Sequence, residues 1–245
     1  MSRILIVTAV RPETRAAIAA LSQPRRVRPA AQPSWQGRAG ANHVTLIQAG
    51  VGHEAARRVV TAACGPCSVI VSLGFAGALV PGPGTGDFVL SRTVLWEENG
   101  QLRRHEVARG LVDTVETALP LELRHAALRG ALLSSPVVLA TPAAKEQAAR
   151  HYGAVAVEME AAALAGYATD HGIAFLALRV ILDPVDLSLA GLPKNLDTSW
   201  AARARLVGMP ATWPLLLLLH RHVTAAGITL RKIAAAILPA LACGE

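Results

Sequence analysis

Short apolar runs rich in Val, Ile and Leu alternate with helical patterns along most of the chain. That alternation, more than any single motif, limits what it can fold into. Strand-like runs are read at 4–7, 44–49, 69–73, 130–133, 154–157 and 174–181. Helical patterns are read at 13–21, 53–63, 111–118, 143–151 and 158–170. A hairpin is expected at 88–96 with its turn at Asn99-Gly100. The predicted class is α/β: one domain with a central mixed sheet flanked by helices and a helical C-terminus. The segment 24–41, rich in Pro, Arg, Gln and Gly, reads as an irregular connection or a poorly ordered edge hairpin rather than a linker.

A length of 245 residues suits a single α/β domain, so residues 1–245 are expected to form one unit, with 199–245 as its all-helical extension. Hydrophobic residues make up 52% and charged residues 17% of the chain, and the mean hydropathy is +0.39, which places it among globular proteins with a sizeable core. The longest purely apolar run, 215–219, is far shorter than the ~20 residues of a membrane crossing. The N-terminal residues enter a strand-like run without the pattern of a signal peptide, so a cytoplasmic address is expected. A net charge of +7 is compatible with an anionic partner. The basic residues are nevertheless scattered, as at Arg25-Arg26, Arg57-Arg58, Arg103-Arg104 and Arg231-Lys232, and aromatics are only 4%, which argues against nucleic acid.

Two motifs imitate other chemistries. Cys64-Gly65-Pro66-Cys67 has the spacing of a redox dithiol, but a helical run precedes it and a strand follows. No helix N-terminus then points at the thiols to lower their pKa, and a turn is the better reading. Gly50-Val51-Gly52-His53-Glu54-Ala55 resembles the dinucleotide fingerprint, yet the run 69–73 stands where the ribose-binding acid should be. What remains is a strand-to-helix turn whose glycines, Gly50 and Gly52, let a sugar or an anion approach backbone N–H groups. Gly74-Phe75-Ala76-Gly77, at the end of the run 69–73, leaves room for something flat against the backbone. The glycines at 82, 84 and 86 lack the Lys-Ser/Thr of a P-loop and read as turns. No organic cofactor and no metal site are expected.

Val157-Glu158-Met159-Glu160-Ala161-Ala162-Ala163 carries the most chemistry. Two carboxylates straddle a thioether where an apolar strand meets an apolar helix, and buried Glu is rare unless it is paired or bound to a ligand. A carboxylate there can accept hydrogen bonds from two vicinal ribose hydroxyls while the methionine packs on the sugar. A helix-start acid explains one of the two glutamates, not both. Asp183 follows the run 174–181 at the carboxyl end of a strand, where burial raises a carboxyl pKa towards that of a proton donor.

These segments together resemble the methylthioadenosine/S-adenosylhomocysteine nucleosidases and purine nucleoside phosphorylases, in the right order from residue 1 to about 190. Within that group the chain looks most like the hopanoid-associated phosphorylases. The resemblance implies cleavage of the N-glycosidic bond of an adenine nucleoside, with inorganic phosphate or water as the attacking group. It implies Asp183 as the acid that protonates the leaving base and Glu13 as the acid that activates water. Glu160 and Met159, with Glu158, would hold the ribose, beside Gly74, Phe75, Ala76, Gly77, Gly50 and Gly52; Arg11 and Arg15 are the phosphate candidates. Phe75 and Leu182 stand where the group usually has a hydroxyl residue. The expected partner is a small nucleoside, lipid-linked on the hopanoid reading, with peripheral contact to the inner membrane through the apolar and basic C-terminal third; a homo-oligomer is also implied. A soluble nucleosidase acting on methylthioadenosine, adenosylhomocysteine or a futalosine-like compound is the alternative. A membrane-surface or interaction module that has lost activity is the alternative of another class.

Overall fold

Alternate residues of the central strands enter opposite cores. In β1 (Arg3–Thr8), Ile4 and Ile6 join one apolar cluster while Leu5 and Val7 join the other. β5 (Val69–Ala78) and β10 (Ala174–Asp183) follow the same rule: Val69, Val71, Leu176 and Leu178 lie on the first side, and Ile70, Phe175 and Ala177 on the second. This computed structural model describes residues 2–28, 30–63, 65–190 and 213–241, with side chains from 217 onward in the last segment.

The ten strands among the described residues form one mixed sheet, as expected. Its order is β10, β6 (Phe88–Glu98), β8 (Leu128–Ser134), β9 (Ala154–Glu158), β5, β1, β4 (Asn42–Gln48), β3 (Ser34–Ala39) and β2 (Ser22–Arg26), with β7 (Gln101–Glu106) paired to β6. β10 also pairs with β5, so β5, β10, β6, β8 and β9 close into a ring and the other strands extend from it. The first side is covered by α1 (Arg11–Ile18), α3 (Arg109–Ala118) and α7 (Trp213–Ile237). The second is covered by α2 (His53–Ala63) and α6 (Ala161–Asp170). α5 (Pro142–Tyr152) closes a third, smaller cluster with Leu79, Leu133 and Val157, and α4 (Leu121–His125) is a short addition that the sequence pattern did not mark.

One edge of β5 is shared. β1 pairs with Val69–Ser72, β9 pairs with Gly77 and Ala78, and the two neighbours part between them, while β10 runs along the other edge. A fork of this kind, at the carboxyl ends of parallel strands, is where open α/β sheets meet ligands.

Several boundaries differ from the sequence reading. Of the two readings of 24–41 the edge hairpin is the one found: β2 pairs antiparallel with β3 beside β4, with a register shift between Ser22 and Arg25. β5 runs through Gly74 and Gly77 instead of ending before them, because β9 and β10 supply partners for its second half. α6 starts at Ala161, since Glu158 still pairs in β9 with Ser134, and Met159-Glu160 form the bend between. The Asn99-Gly100 turn joins β6 to β7 with both residues at positive φ, as a two-residue hairpin demands.

In α7, Ala226, Leu230, Ile233, Ala234 and Ile237 form one buried stripe against the sheet, with a spacing of three and four residues. Its end is tied down by Asn42, whose Nδ2 donates to the carbonyls of Leu238 (3.0 Å), Leu241 (3.3 Å) and Pro239 (3.4 Å). Of the expected helical extension 199–245, residues 199–212 and 242–245 lie outside the described residues. Among those described, no helix is long and apolar enough to cross a membrane. Cys67 sits in the turn between α2 and β5, as its context implied, and Cys64 lies outside the described residues.

Candidate active site

A cavity of about 210 Å³ opens at the fork, lined by Ala9, Val10 and Glu13 from the β1–α1 segment, Phe75, Ala76 and Gly77 from β5, Glu158, Met159 and Glu160 from the β9–α6 bend, and Leu182 and Asp183 from β10. Val51, Val137, Val138, Leu139 and Leu189 complete the wall. A larger hollow of about 460 Å³ lies at the opposite, N-terminal end of β1, among Arg3, Gln36, His43 and Cys67. No carboxylate lines it, and it sits at the wrong end of the parallel strands for chemistry.

Glu13 is the third residue of α1 and reaches back over its own helix start. Its Oε2 accepts from the N–H groups of Ala9 (2.8 Å) and Val10 (3.0 Å), while Oε1 accepts from Phe75 N–H (2.8 Å). The carboxylate occupies the space a side chain at position 74 would need: a Cβ on Gly74 would lie 2.6 Å from Oε1. Burial raises the Glu13 pKa; the N–H bonds from Val10, Phe75 and Ala9 and the charge of Arg179 oppose it.

The two glutamates of the bend have different tasks. Glu158 is buried, and its Oε2 accepts from the N–H groups of Glu160 (3.0 Å) and Ala161 (2.8 Å), which caps α6, and from Arg179. Arg179, buried within β10, also donates to Ser72 Oγ (2.6 Å). Burial works against its charge, yet Glu158, Glu160 and Glu13 surround it and leave its pKa raised. Glu160 Oε1 accepts from Gly52 N–H (2.7 Å). The glycine turn thus presents its N–H to an acid of the chain itself. Gly52 has φ +98°, a region open in practice only to glycine. Burial, then the charge of Glu158, push the Glu160 pKa up to about 8.

Asp183 is the last residue of β10. Its Oδ2 is 2.7 Å from Nζ of Lys145, a residue of α5 that is 0% exposed. Burial raises the Asp183 pKa, and the charges of Lys145 and His222 oppose it. Gly77 answers to Asp183 as Gly74 does to Glu13, since a Cβ there would lie 2.9 Å from Oδ2. The two glycines leave room for the site's own carboxyls rather than for a flat ligand alone. At Leu182, where a hydroxyl residue was expected, the carbonyl accepts instead from Thr85 Oγ1 (3.0 Å) and lies 3.0 Å from His222 Nδ1 on α7.

Glu13, Phe75, Ala76, Gly77, Glu158, Met159, Glu160 and Asp183 all line one cavity, with Gly74 beneath Glu13 and Gly52 on Glu160. Gly50 does not line it; its N–H donates to the Ala9 carbonyl (3.1 Å) and braces the β1–α1 segment. Arg11 and Arg15 turn away into a separate hollow of about 130 Å³ with Arg26, Trp35 and Gln48. Reading the sequence missed two charged groups. Arg179 lies in a run of strand residues, and Lys145 is followed by Glu146 and Gln147 on a helix of mixed polarity, so nothing local marks either as buried.

The arrangement has what N-glycosidic cleavage demands: an acid of raised pKa to protonate a leaving base, carboxyl groups to stabilise positive charge on a sugar, and a further carboxylate to act as base towards a nucleophile. Among the described residues no group of His, Cys, Asp and Glu is suited to hold a metal ion.

The chain is similar to known proteins in sequence family and in fold. A sequence model of the phosphorylase superfamily matches residues 3–206. The structure is similar to S-adenosylhomocysteine nucleosidase from Streptococcus pyogenes in complex with 5-methylthiotubericidin (TM-score 0.76, 19% identity, 99% of this chain and 98% of that one). It is similar to 5′-methylthioadenosine/S-adenosylhomocysteine nucleosidase from Neisseria meningitidis in complex with methylthio-immucillin-A (TM-score 0.75, 18% identity, 98% and 100%). Futalosine hydrolase of Helicobacter pylori also shares the fold (TM-score 0.69, 15% identity, 95% and 97%).

Proposed function

The chain belongs to the phosphorylase superfamily, and on that premise we propose that it releases adenine from a nucleoside whose 5′ substituent is apolar. The observation that carries this reading is the convergence of Glu13, Glu160 and Asp183, from three separate segments, on one cavity. In this reading Asp183 donates a proton to the leaving base, and Glu160 accepts hydrogen bonds from the ribose hydroxyls with Met159 against the sugar. Glu13 takes a proton from the attacking water. Methylthioadenosine and adenosylhomocysteine in the names of the similar nucleosidases support adenine as the base.

Water is favoured over phosphate. The cavity presents acids rather than cations to an entering anion, since Glu13, Glu158, Glu160 and Asp183 line it and the two arginines considered for phosphate lie in another hollow. The 5′ side draws on Val51, Val137 and Val138, which line the cavity yet are 53%, 60% and 50% exposed. Such an apolar rim suits a lipid-linked, adenosylhopane-like nucleoside, as in hopanoid biosynthesis. A homo-oligomer in the cytoplasm that touches the membrane surface through α7, where Leu217, Arg221 and Ile228 are exposed, completes the proposal.

The test is adenine release from adenosine, methylthioadenosine and a long-chain 5′-alkyl analogue, with and without phosphate. Preference for the alkyl analogue, unaffected by phosphate, is the expected result. Equal turnover of all three, with no binding to acidic vesicles at low salt, overturns the lipid-linked reading in favour of a soluble nucleosidase. No release from any of them leaves the interaction module.

A further inference from the structure

Lys145 has no role in the chemistry described so far, yet its side chain is almost wholly enclosed, at 1% exposed. It projects from the first turn of α5, on the same face as Ala148, which packs into the small cluster beside the sheet. A lysine ammonium has three protons to donate, and all three acceptors lie at the exit of β10: Asp183 Oδ2 at 2.7 Å, the Pro184 carbonyl at 2.7 Å and the Leu187 carbonyl at 3.2 Å. The loop so held goes on to Leu189, whose N–H donates to the Ala140 carbonyl at 2.8 Å, next to the valine rim. A lone ammonium buried this deeply is costly unless its partners are fixed. Here every partner belongs to the strand end that carries the acid.

We propose that Lys145 is the positioning residue of the proton donor: it locks Asp183 Oδ2 so that Oδ1 is the oxygen turned to the leaving base, and its charge limits how tightly the carboxyl keeps its proton. This rests on the reading of Asp183 as the acid. The ion pair takes one carboxyl oxygen out of play, so the proton that moves is the one on Oδ1, from Oδ1 to the ring nitrogen of the base. Asp183 is left as a carboxylate facing the Lys145 ammonium. The pair is thus complementary to the state reached after transfer, which is the state catalysis must stabilise. His222 on α7 is the other titratable side chain that bears on Asp183.

The experiment is the pH dependence of kcat for adenine release in wild type, Lys145→Met and Lys145→Arg. An opposing charge at this range lowers a carboxyl pKa by about one to three units, so Lys145→Met moves the alkaline limb up by about that much. It also lowers kcat at least tenfold with little change in KM, whereas Lys145→Arg leaves the limb in place. A uniform drop in kcat with the limb unmoved makes Lys145 a packing residue and overturns the proposal. If Lys145→Met does not fold, Lys145→Gln, which removes the charge and keeps donors, carries the same test. Asp183→Asn run in parallel separates the two ideas: activity retained in that variant refutes the acid itself, whatever the lysine variants do.

Discussion

Gly74→Ala isolates the fit between β5 and Glu13. The backbone at Gly74 is not in the left-handed region, so alanine costs nothing through φ, and the new methyl acts only through what it touches. It touches the Glu13 carboxyl, with Oε1 at 2.6 Å and Cδ at 3.0 Å, and the carboxyl must move. Moving away from β5 breaks the bond from Phe75 N–H and leaves those from Ala9 and Val10 on Oε2. One hydrogen bond to a charged group is worth about 1.5–3 kcal/mol, which for a domain of this size corresponds to a fall in Tm of about 3–12 °C. Displacing the group that activates water removes a contribution of about 10²–10⁴ in rate. Thermal unfolding and kcat for adenine release read the two effects separately. The decisive control is Glu13→Ala, which removes the group that is struck, so in that background Gly74→Ala should cost little further stability or activity. Penalties that add in the double variant refute the reasoning, as does a Gly74→Ala protein with wild-type Tm and kcat.

Three other outcomes are expected. Glu160 is more readily protonated in the folded chain, at about 8, than at its ordinary 4.5; the native state therefore binds the extra proton, and this contribution to stability is full below pH ~4.5 and is lost as pH rises through ~8. Glu160→Gln should flatten that fall in a Tm series and weaken ribose binding, and a Tm series with the wild-type slope would clear Glu160. Replacing Arg11 and Arg15 together by alanine should leave kcat and its indifference to phosphate unchanged; a large loss, restored by high phosphate, would return phosphate to the mechanism. Asn42→Ala should strip the end of α7 of its side-chain donor and cost about 1–3 kcal/mol in a denaturant titration, with adenine release intact at low temperature.

How much of this was legible in the chain depends on the range of the forces involved. Period-two burial in β1, β5 and β10 needs only neighbours in sequence, so the class of fold and the position of Asp183 at a strand end could be read directly. The Val157-Glu158-Met159-Glu160 segment was equally plain, because two acids at the edge of an apolar run conflict with burial wherever the chain goes. Sequence could not divide their labour. Glu158 became a helix cap and the partner of Arg179 only when β9 and β10 met on the ring of strands, and Glu160 found Gly52 only across 108 residues. The same limit explains Lys145, whose partners lie 38 to 42 residues away in β10 and its exit loop, and Gly74, whose missing side chain answers to a carboxylate 61 residues earlier. Local pattern determines which face of an element is apolar. Which charges then share one cavity is decided by strand order, because desolvation and Coulomb forces act through space, between groups that only the sheet brings together.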